Sequence, residues 1–509
     1  MAYISPHYAV MLIIMASSLL RLILAGAIGL GVDESYVVSV ARVFSLSYFD
    51  HPPLHFWVIW LTTHLFNSEN ELILRLPFII MFAGTSWMMY RIGTKLFGEW
   101  AGVYAALILN VSAVFSLSTG SWLLPDGPLM FFMLAATLLL VDLFFSSNAN
   151  PSLMLWIAAG MLAGLAMLAK YHAVFLALGS FIFMLTSKHH RGQLLTFGPY
   201  LAMTVAGIVF LPVIIWNQDH NWVSFLFQGG RGAVQGFFPI KMLANIAGQA
   251  AWVLPWIWLP LVWVLIRGIT AGPDHVKSSL QNKQWFLCCL AIGPIAVFTV
   301  ATLWGGQGLF HWQAPGYLLA LPLLGRAIAD GLEQKNRLVR VWLIASACSF
   351  LIIVLLLGSH TATGWLRQAP QLFTQGDPTT EALDWHDLPV YLNQTGLLNA
   401  NVKGVIAANW IDAGKIDYAL GGKLPVLCLS NEPHHFAFMH NQAELKENDV
   451  LIIGRKAIIT DALSVYQSYF TTITPIGTVA IKRYGIPEFE VAVFYAKGFN
   501  GTFPLPYGQ

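Results

Sequence analysis

Long apolar runs separated by short polar connections fill the first 360 residues of the chain. A helix needs roughly 20 apolar residues to cross a bilayer, and about eleven runs approach that length. A shorter run at 54–66 carries His55 and His64, and it predicts a helix lying at the membrane interface. The longer runs lie near 8–30, 72–95, 99–119, 127–147, 153–169, 172–187, 194–215, 239–267, 284–304, 313–329 and 338–359.

The pattern changes near residue 360, where charged and turn residues become common and the apolar runs shrink to strand length. Strands are predicted at 402–409, 425–429, 449–454, 474–484 and 491–496, with helices at 381–398 and 411–421. The predicted fold is therefore an all-α membrane bundle followed by a small α/β domain. We place the membrane domain at 1–359, with a first outer loop at 31–71, and the α/β domain at 360–509.

Composition supports the membrane assignment, because 57% of the residues are hydrophobic, only 10% are charged and the mean hydropathy is +0.64. The formal net charge of +2 gives no reason to expect a nucleic-acid partner. Membrane lipids are the expected surroundings.

Lysine and arginine placement predicts the orientation of the chain. Basic residues collect in the connections near 91–95, 188–191, 267–283 and 326–340, which all fall on one side of the predicted spans. The side rich in Lys and Arg is the cytoplasmic one. The N-terminus is then expected in the cytoplasm, and loop 31–71 and the α/β domain on the opposite side.

The ionisable clusters fall on that opposite face, where polar groups near lipid usually line a cavity or a water-facing surface. Two of them share the first outer loop, and the others lie at later span junctions. The residues are Asp33, Glu34, Asp50, His51, Asp126, Lys170, Arg231 and His311. Their shared face favours an active site that opens outward.

Each of these residues also has a structural interpretation. Asp33 and Glu34 could begin a solvated loop helix, and Asp126 could cap the span that follows it. Lys170 could extend its amine from a helix end to water. The glycines around Arg231 could provide only loop flexibility, and His311 could belong to an interfacial belt.

Several motifs occur in an order that resembles a known family: Asp33–Glu34 after the first span, YFDHPPL at 48–54, RLP at 75–77, KLFG at 95–98, LPDGPL at 124–129 and GLAMLAKY at 164–171. The set is similar to the bacterial branch of the protein O-mannosyltransferase superfamily, which has the GT-C fold. That superfamily includes the lipid A aminoarabinose and galacturonosyl transferases. The resemblance covers most of residues 20–330.

The resemblance implies an inverting transferase in a bacterial inner membrane, acting as a monomer on the periplasmic side. Its donor would be a polyprenyl-phosphate sugar. Its acceptor would be a hydroxyl or phosphate of lipid A, a glycan or another surface molecule. Asp33 matches the family's general base, with Glu34 in support, while Asp50, His51 and Asp126 would line the site.

The leaving phosphate needs cations or directed donors, and Lys170, Arg231 and His311 are the candidates. The aminoarabinose transferases have Glu-Lys before their Pro-Pro, where this chain has Asp50–His51. Histidine is cationic only part of the time near neutral pH, so this departure gives more weight to Lys170.

No cofactor is expected. Asp33, Asp50, His51 and His55 could in principle supply oxygen and nitrogen ligands to a metal, but they lack compact spacing. Two alternative functions remain open. A flippase or transporter would be expected to show two repeated halves with interrupted spans. A glycan ligase would be expected to carry a large outer loop between spans.

Overall fold

The computed structural model describes residues 4–146, 152–232, 234–275, 279–306, 308–374, 376–398 and 401–507. By the density of internal contacts, the chain divides into two compact units. The helical unit comprises Met1–Leu22, Leu46–His55 and Arg75–Ile353. The mixed unit comprises Ile23–Ser45, Phe56–Leu74 and Val354–Gln509. The boundary predicted at 359/360 stays a prediction.

Most helices up to residue 363 follow the apolar runs of the sequence, whereas those at Val32–Ala41 and Val223–Gly230 form between the predicted runs. In chain order, the helices are α1 (Pro6–Ala27), α2 (Val32–Ala41), α3 (Leu54–Phe66), α4 (Glu71–Phe97), α5 (Glu99–Asn110), α6 (Asp126–Phe145), α7 (Leu153–Ala169), α8 (Val174–Thr186), α9 (Phe197–Asp219), α10 (Val223–Gly230), α11 (Pro239–Val253), α12 (Pro255–Ala271), α13 (Leu280–Ala301), α14 (Ala314–Glu333) and α15 (Arg337–Thr363).

Six helical segments in the described ranges are long and apolar enough to cross a membrane, and a bent pair raises that number to seven. The six are Pro6–Ala27, Glu71–Phe97, Asp126–Phe145, Phe197–Asp219, Leu280–Trp304 and Arg337–Thr363. Shorter apolar helices cover Leu54–Phe66, Leu153–Ala169 and Tyr171–Thr186. The chain is a multi-pass membrane protein, while the expected total of about eleven spans stays a prediction.

The run at 239–267 is not the single straight span that its hydropathy predicts. It forms α11 and α12, which meet at an angle of 110°. Leu254 at the break has a φ of 82°, and Pro255 follows it. Proline has no amide proton to continue the hydrogen bonding of α11, and it disfavours helical geometry at the residue before it, so the helix breaks there.

Small residues allow close helix packing in the helical unit. Gly325 of α14 lies against α5, where an added Cβ would be 2.3 Å from the carbonyl oxygen of Ala101. Such contacts between small residues are typical of helices packed in a membrane, where dispersion forces replace the hydrophobic effect.

The mixed unit contains a five-stranded sheet, whose strands are β1 (Val402–Ala407), β2 (Val426–Cys428), β3 (Asp449–Arg455), β4 (Thr472–Arg483) and β5 (Ile486–Lys497). The strand order is β2-β1-β3-β5-β4; β1 is parallel to both β2 and β3, whereas β5 is antiparallel to β3 and β4. The helices after α15 are α16 (Asp387–Gln394), α17 (Trp410–Leu420) and α18 (Lys456–Tyr466). This confirms the predicted small α/β domain.

Helix α2 packs on α17 inside the mixed unit. The contact depends on Gly414, because a Cβ at that position would lie 2.8 Å from the Cα of Tyr36. The hydroxyl of Tyr36 accepts a hydrogen bond from the backbone N–H of His435 at 3.0 Å. Residues of the first loop are thereby fixed against a helix nearly 380 positions later in the chain.

Candidate active site

A buried ion pair joins two of the candidate residues. Lys170 ends α7 and Asp126 begins α6, and both are about 5% exposed. The Nζ of Lys170 lies 2.8 Å and 3.0 Å from the two carboxylate oxygens of Asp126. The amine therefore does not extend to water, and the carboxylate is engaged with a buried cation. Such a pair requires further polar neighbours to offset its desolvation.

Histidines supply part of that polar surrounding. Burial, and then the positive charge of Lys170, lower the pKa of His51 to about 4. The same two causes, in the same order, lower the pKa of His311 to about 4. Both rings are therefore neutral near pH 7, and each can offer an N–H or a lone pair rather than a full positive charge.

Arg231 approaches the same group from the end of α10. Its guanidinium carbon lies 4.6 Å from the ring centre of Phe227 and 5.9 Å from that of Trp312. Its positive charge contributes to the lowered pKa of His51. In the same segment, Gln228 donates a hydrogen bond of 2.5 Å to the backbone carbonyl of Asp50. The loop at 49–51 is thus tied to the segment that carries Arg231.

Six of the eight candidate residues belong to the helical unit and form a polar cluster, which we call the Lys170 cluster. Its members are Asp50, His51, Asp126, Lys170, Arg231 and His311. Asp50 is 4% exposed, although it precedes the Pro-Pro turn of a loop.

Two further histidines adjoin this cluster and were not selected from the sequence as site residues. The ring of His55 lies 5.8 Å from that of His51, and His172 stacks on Phe298 at 4.4 Å. The sequence could have pointed to both histidines, because each lies close to a candidate residue. His55 is four residues after His51, and His172 is two residues after Lys170.

Asp33 and Glu34 belong to the mixed unit, in the first turn of α2. Glu34 is 3% exposed, and its Oε2 accepts a hydrogen bond of 2.8 Å from the backbone N–H of Gly31. That bond caps the start of α2, so the carboxylate of Glu34 has a structural use. Asp33 is exposed at the neighbouring position.

The chain just before Asp33 is held at both the backbone N–H and the backbone carbonyl of Leu30. Asp384 accepts a hydrogen bond of 3.0 Å from the backbone N–H of Leu30. The buried amine of Lys415 donates to the carbonyl of Leu30, and also to that of Leu383 at 2.9 Å. These contacts fix the backbone from which α2 and Asp33 begin.

Glu71, Asp384 and His386 offer metal-ligand atoms that lie within 4.8 Å of one another among the described residues. Two carboxylates and an imidazole suit a divalent cation by chemistry. Both carboxylates already have structural partners, however, because Glu71 accepts from the hydroxyl of Tyr418 at 3.1 Å and Asp384 accepts from Leu30.

Comparison with known proteins agrees with this architecture. The family model for dolichyl-phosphate-mannose-protein mannosyltransferases matches residues 50–216. The crystal structure of ArnT from Cupriavidus metallidurans in the apo state aligns over 95% of this chain and 97% of that one, with a TM-score of 0.62 and 14% identity. The chain therefore has a GT-C fold like that of ArnT, and its residues 50–216 are similar to the mannosyltransferase family.

Two further proteins extend the comparison. ArnT bound to undecaprenyl phosphate aligns over the same 95% of the chain with a TM-score of 0.60 and 13% identity. The lipid A galacturonosyltransferase RgtD of Rhizobium johnstonii is 28% identical over 324 residues, which are 62% of this chain. The matched region spans 65% of the length of RgtD.

Proposed function

We propose that the protein is an inverting glycosyltransferase that moves a sugar from a polyprenyl-phosphate carrier to a hydroxyl or phosphate of lipid A or another envelope saccharide. We further propose that transfer takes place on the periplasmic side of a bacterial inner membrane, with the N-terminus in the cytoplasm. The observation that carries the proposal is the Lys170 cluster. Two cations and two neutral imidazoles gather there inside the helical unit.

The Lys170 cluster suits the departure of a lipid phosphate. As the bond from the anomeric carbon to the phosphate oxygen breaks, negative charge grows on that oxygen. Lys170 and Arg231 would stabilise this charge, and the ring N–H groups of His51 and His311 would donate hydrogen bonds to it. The fold shared with ArnT, which has been solved with undecaprenyl phosphate, supports a carrier of that chemical class.

Asp33 would remove the proton from the acceptor hydroxyl as the new glycosidic bond forms. A hydroxyl is a weak nucleophile, and a positioned carboxylate contributes about 10²–10⁴-fold to such a step. Asp33 is exposed, at the start of a helix whose backbone is fixed by Asp384 and Lys415. An exposed carboxylate on a fixed backbone meets the requirements of a general base.

The test is a transfer assay in membrane vesicles with a panel of polyprenyl-phosphate sugars, including galacturonic acid, aminoarabinose and mannose donors. Products are identified by mass spectrometry of the extracted lipids. We expect one donor to be used by the native protein, and Asp33→Asn to lose at least about 10²-fold in rate at unchanged expression. Full activity of Asp33→Asn would exclude the assigned base, and no transfer from any donor would exclude the function.

A further inference from the structure

A cavity of about 170 Å³ lies in the mixed unit beside the start of α2. An engineered protein cavity of about 150 Å³ holds one benzene ring, so this one has room for a single six-membered ring. Its walls are aromatic, aliphatic and charged side chains: Val32, Thr380, Glu381, Trp385, Ile411, Lys415, Arg455 and Phe489.

Arg455 presents fixed hydrogen-bond donors at this cavity. Its Nε donates to Asp412 Oδ1 at 2.8 Å, and its backbone N–H donates to Asp412 Oδ2 at 2.9 Å. The side chain of Asp412 is fully buried, which holds the guanidinium in place. The two terminal nitrogens of Arg455 form no hydrogen bond with any residue that the structure describes, so they are available to a ligand.

Trp385 presents a second donor. The residue is only 2% exposed overall, and its indole N–H donates to no residue that the structure describes. The indole nitrogen itself keeps some accessible surface, so it can donate to a ligand in the cavity.

The remaining walls complete a surface suited to a sugar. Glu381 is exposed, forms no ion pair within the described part of the chain and can accept hydrogen bonds. The rings of Trp385 and Phe489 lie 5.9 Å apart at 61°, and together they form an angled apolar wall. A pyranose has an apolar C–H face and a rim of hydroxyls, which matches aromatic walls combined with a few fixed donors and acceptors.

The position of the cavity connects it to Asp33. Val32 lines the cavity, and Asp33 is the next residue of the same helix. Lys415 lines it too, and the same amine holds the carbonyl of Leu30. Val32 and Lys415 therefore belong both to the cavity wall and to the structure that positions Asp33.

We propose that this cavity binds one sugar ring of the acceptor and thereby directs the acceptor hydroxyl to Asp33. The inference rests on the proposed function and adds a place where the acceptor is recognised. It predicts that the cavity determines acceptor affinity and leaves donor affinity unaffected.

The kinetic test uses Glu381→Gln and Phe489→Leu, with Glu490→Gln as the matched control. Glu490 neighbours Phe489 in β5, but it is exposed and pairs with Lys456 at 2.6 Å. We expect each cavity variant to raise the acceptor KM about tenfold, because each removes one hydrogen bond or ring contact to the acceptor. Acceptor-saturated kcat, donor KM and the control variant should not change. An unchanged acceptor KM in both variants, or a fall in kcat alone, overturns the proposal.

A direct binding measurement separates this proposal from the proposed function. Saturation-transfer NMR on the purified full chain would use methyl β-glucoside and methyl β-galactoside, with cyclohexylmethanol as a ring that lacks the hydroxyl pattern. We expect a glycoside signal in the native protein and in Asp33→Asn, and its loss in Glu381→Gln. If Asp33→Asn is inactive but the glycosides bind equally to Glu381→Gln, the cavity assignment fails while the base assignment stands. If Asp33→Asn is active while Glu381→Gln loses binding, the base assignment fails while the cavity assignment stands.

Discussion

Two buried lysines show how differently the two units use charge. Lys170, in the helical unit, contacts both carboxylate oxygens of Asp126 and lies close enough to affect the protonation of His51 and His311. Lys415, in the mixed unit, donates to the backbone carbonyls of Leu30 and Leu383. Both are no more than about 5% exposed, so burial alone does not distinguish them.

The difference lies in their partners. Side chains can turn towards an incoming ligand, so the ammonium of Lys170 can redistribute its hydrogen bonds between Asp126 and a phosphate. Backbone carbonyls cannot turn away without unfolding their segment, so Lys415 holds the chain before Asp33 in one conformation. A buried lysine paired with side chains is therefore the better candidate for ligand binding, and one that holds carbonyls is the better candidate for positioning.

The largest effect is expected from removing the Lys170 cation. Lys170→Met leaves Asp126 buried without its partner, which costs about 3–5 kcal/mol of stability. Transfer activity should fall at least about 10²-fold, as when a fixed charge-stabilising group is removed. Activity in vesicles and melting temperature in detergent measure the two effects separately.

The double variant Lys170→Met/Asp126→Asn distinguishes a phosphate-binding role of Lys170 from a purely structural one. Removing both charges relieves the buried carboxylate, so the melting temperature should recover most of its loss. If Lys170 binds phosphate, the double variant stays inactive. Recovery of activity together with stability would assign Lys170 a purely structural role and remove the contrast with Lys415.

A smaller effect is expected from removing the Lys415 amine. Lys415→Met leaves two carbonyls without their donor, at a cost of about 1–3 kcal/mol for each group that remains buried and unsatisfied. Displacement of Asp33 should reduce kcat by about tenfold to a hundredfold, with donor KM unchanged. Lys456→Met is the control, since the Lys456 side chain is 58% exposed and its ammonium pairs with Glu490 at the surface. An unaltered kcat in Lys415→Met would contradict the positioning role.

A further effect, on stability alone, is a pH dependence that belongs to the Lys170 cluster. His51 and His311 have pKa values near 4 in the folded chain, whereas the unfolded chain takes up these protons near pH 6.5. Protons thus bind the unfolded state first, so this contribution to stability is complete above pH 6.5 and is lost as the pH falls towards 4.

Melting temperatures measured between pH 7 and 4 should reveal that loss. His51→Gln/His311→Gln should flatten the decline, and His189→Gln, which alters an exposed ring, should leave it unchanged. An equally steep decline in the double variant would place the acid sensitivity outside the Lys170 cluster.

Sequence patterning by itself predicted most of the secondary structure. Hydropathy located the helix at 54–66 and the starts of most long helices, and β-strand composition located the five strands. It missed α10 and α18. It also merged α11 with α12, because hydropathy does not register a change of direction at Leu254. Motif order indicated a resemblance to the superfamily whose fold the chain has, and it offered the acidic and basic candidates without showing which of them meet.

Tertiary structure alone decided which candidates meet. Asp126 and Lys170 are 44 residues apart, and Gly414 lies against Tyr36 across almost the whole chain. Hydropathy and turn propensity are local properties, whereas pairing depends on which helix ends come together after packing. The sequence determined the elements, their membrane character and the list of polar residues. Packing decided that Glu34 caps a helix, that Lys170 neutralises Asp126, and that Lys415 holds the backbone before Asp33.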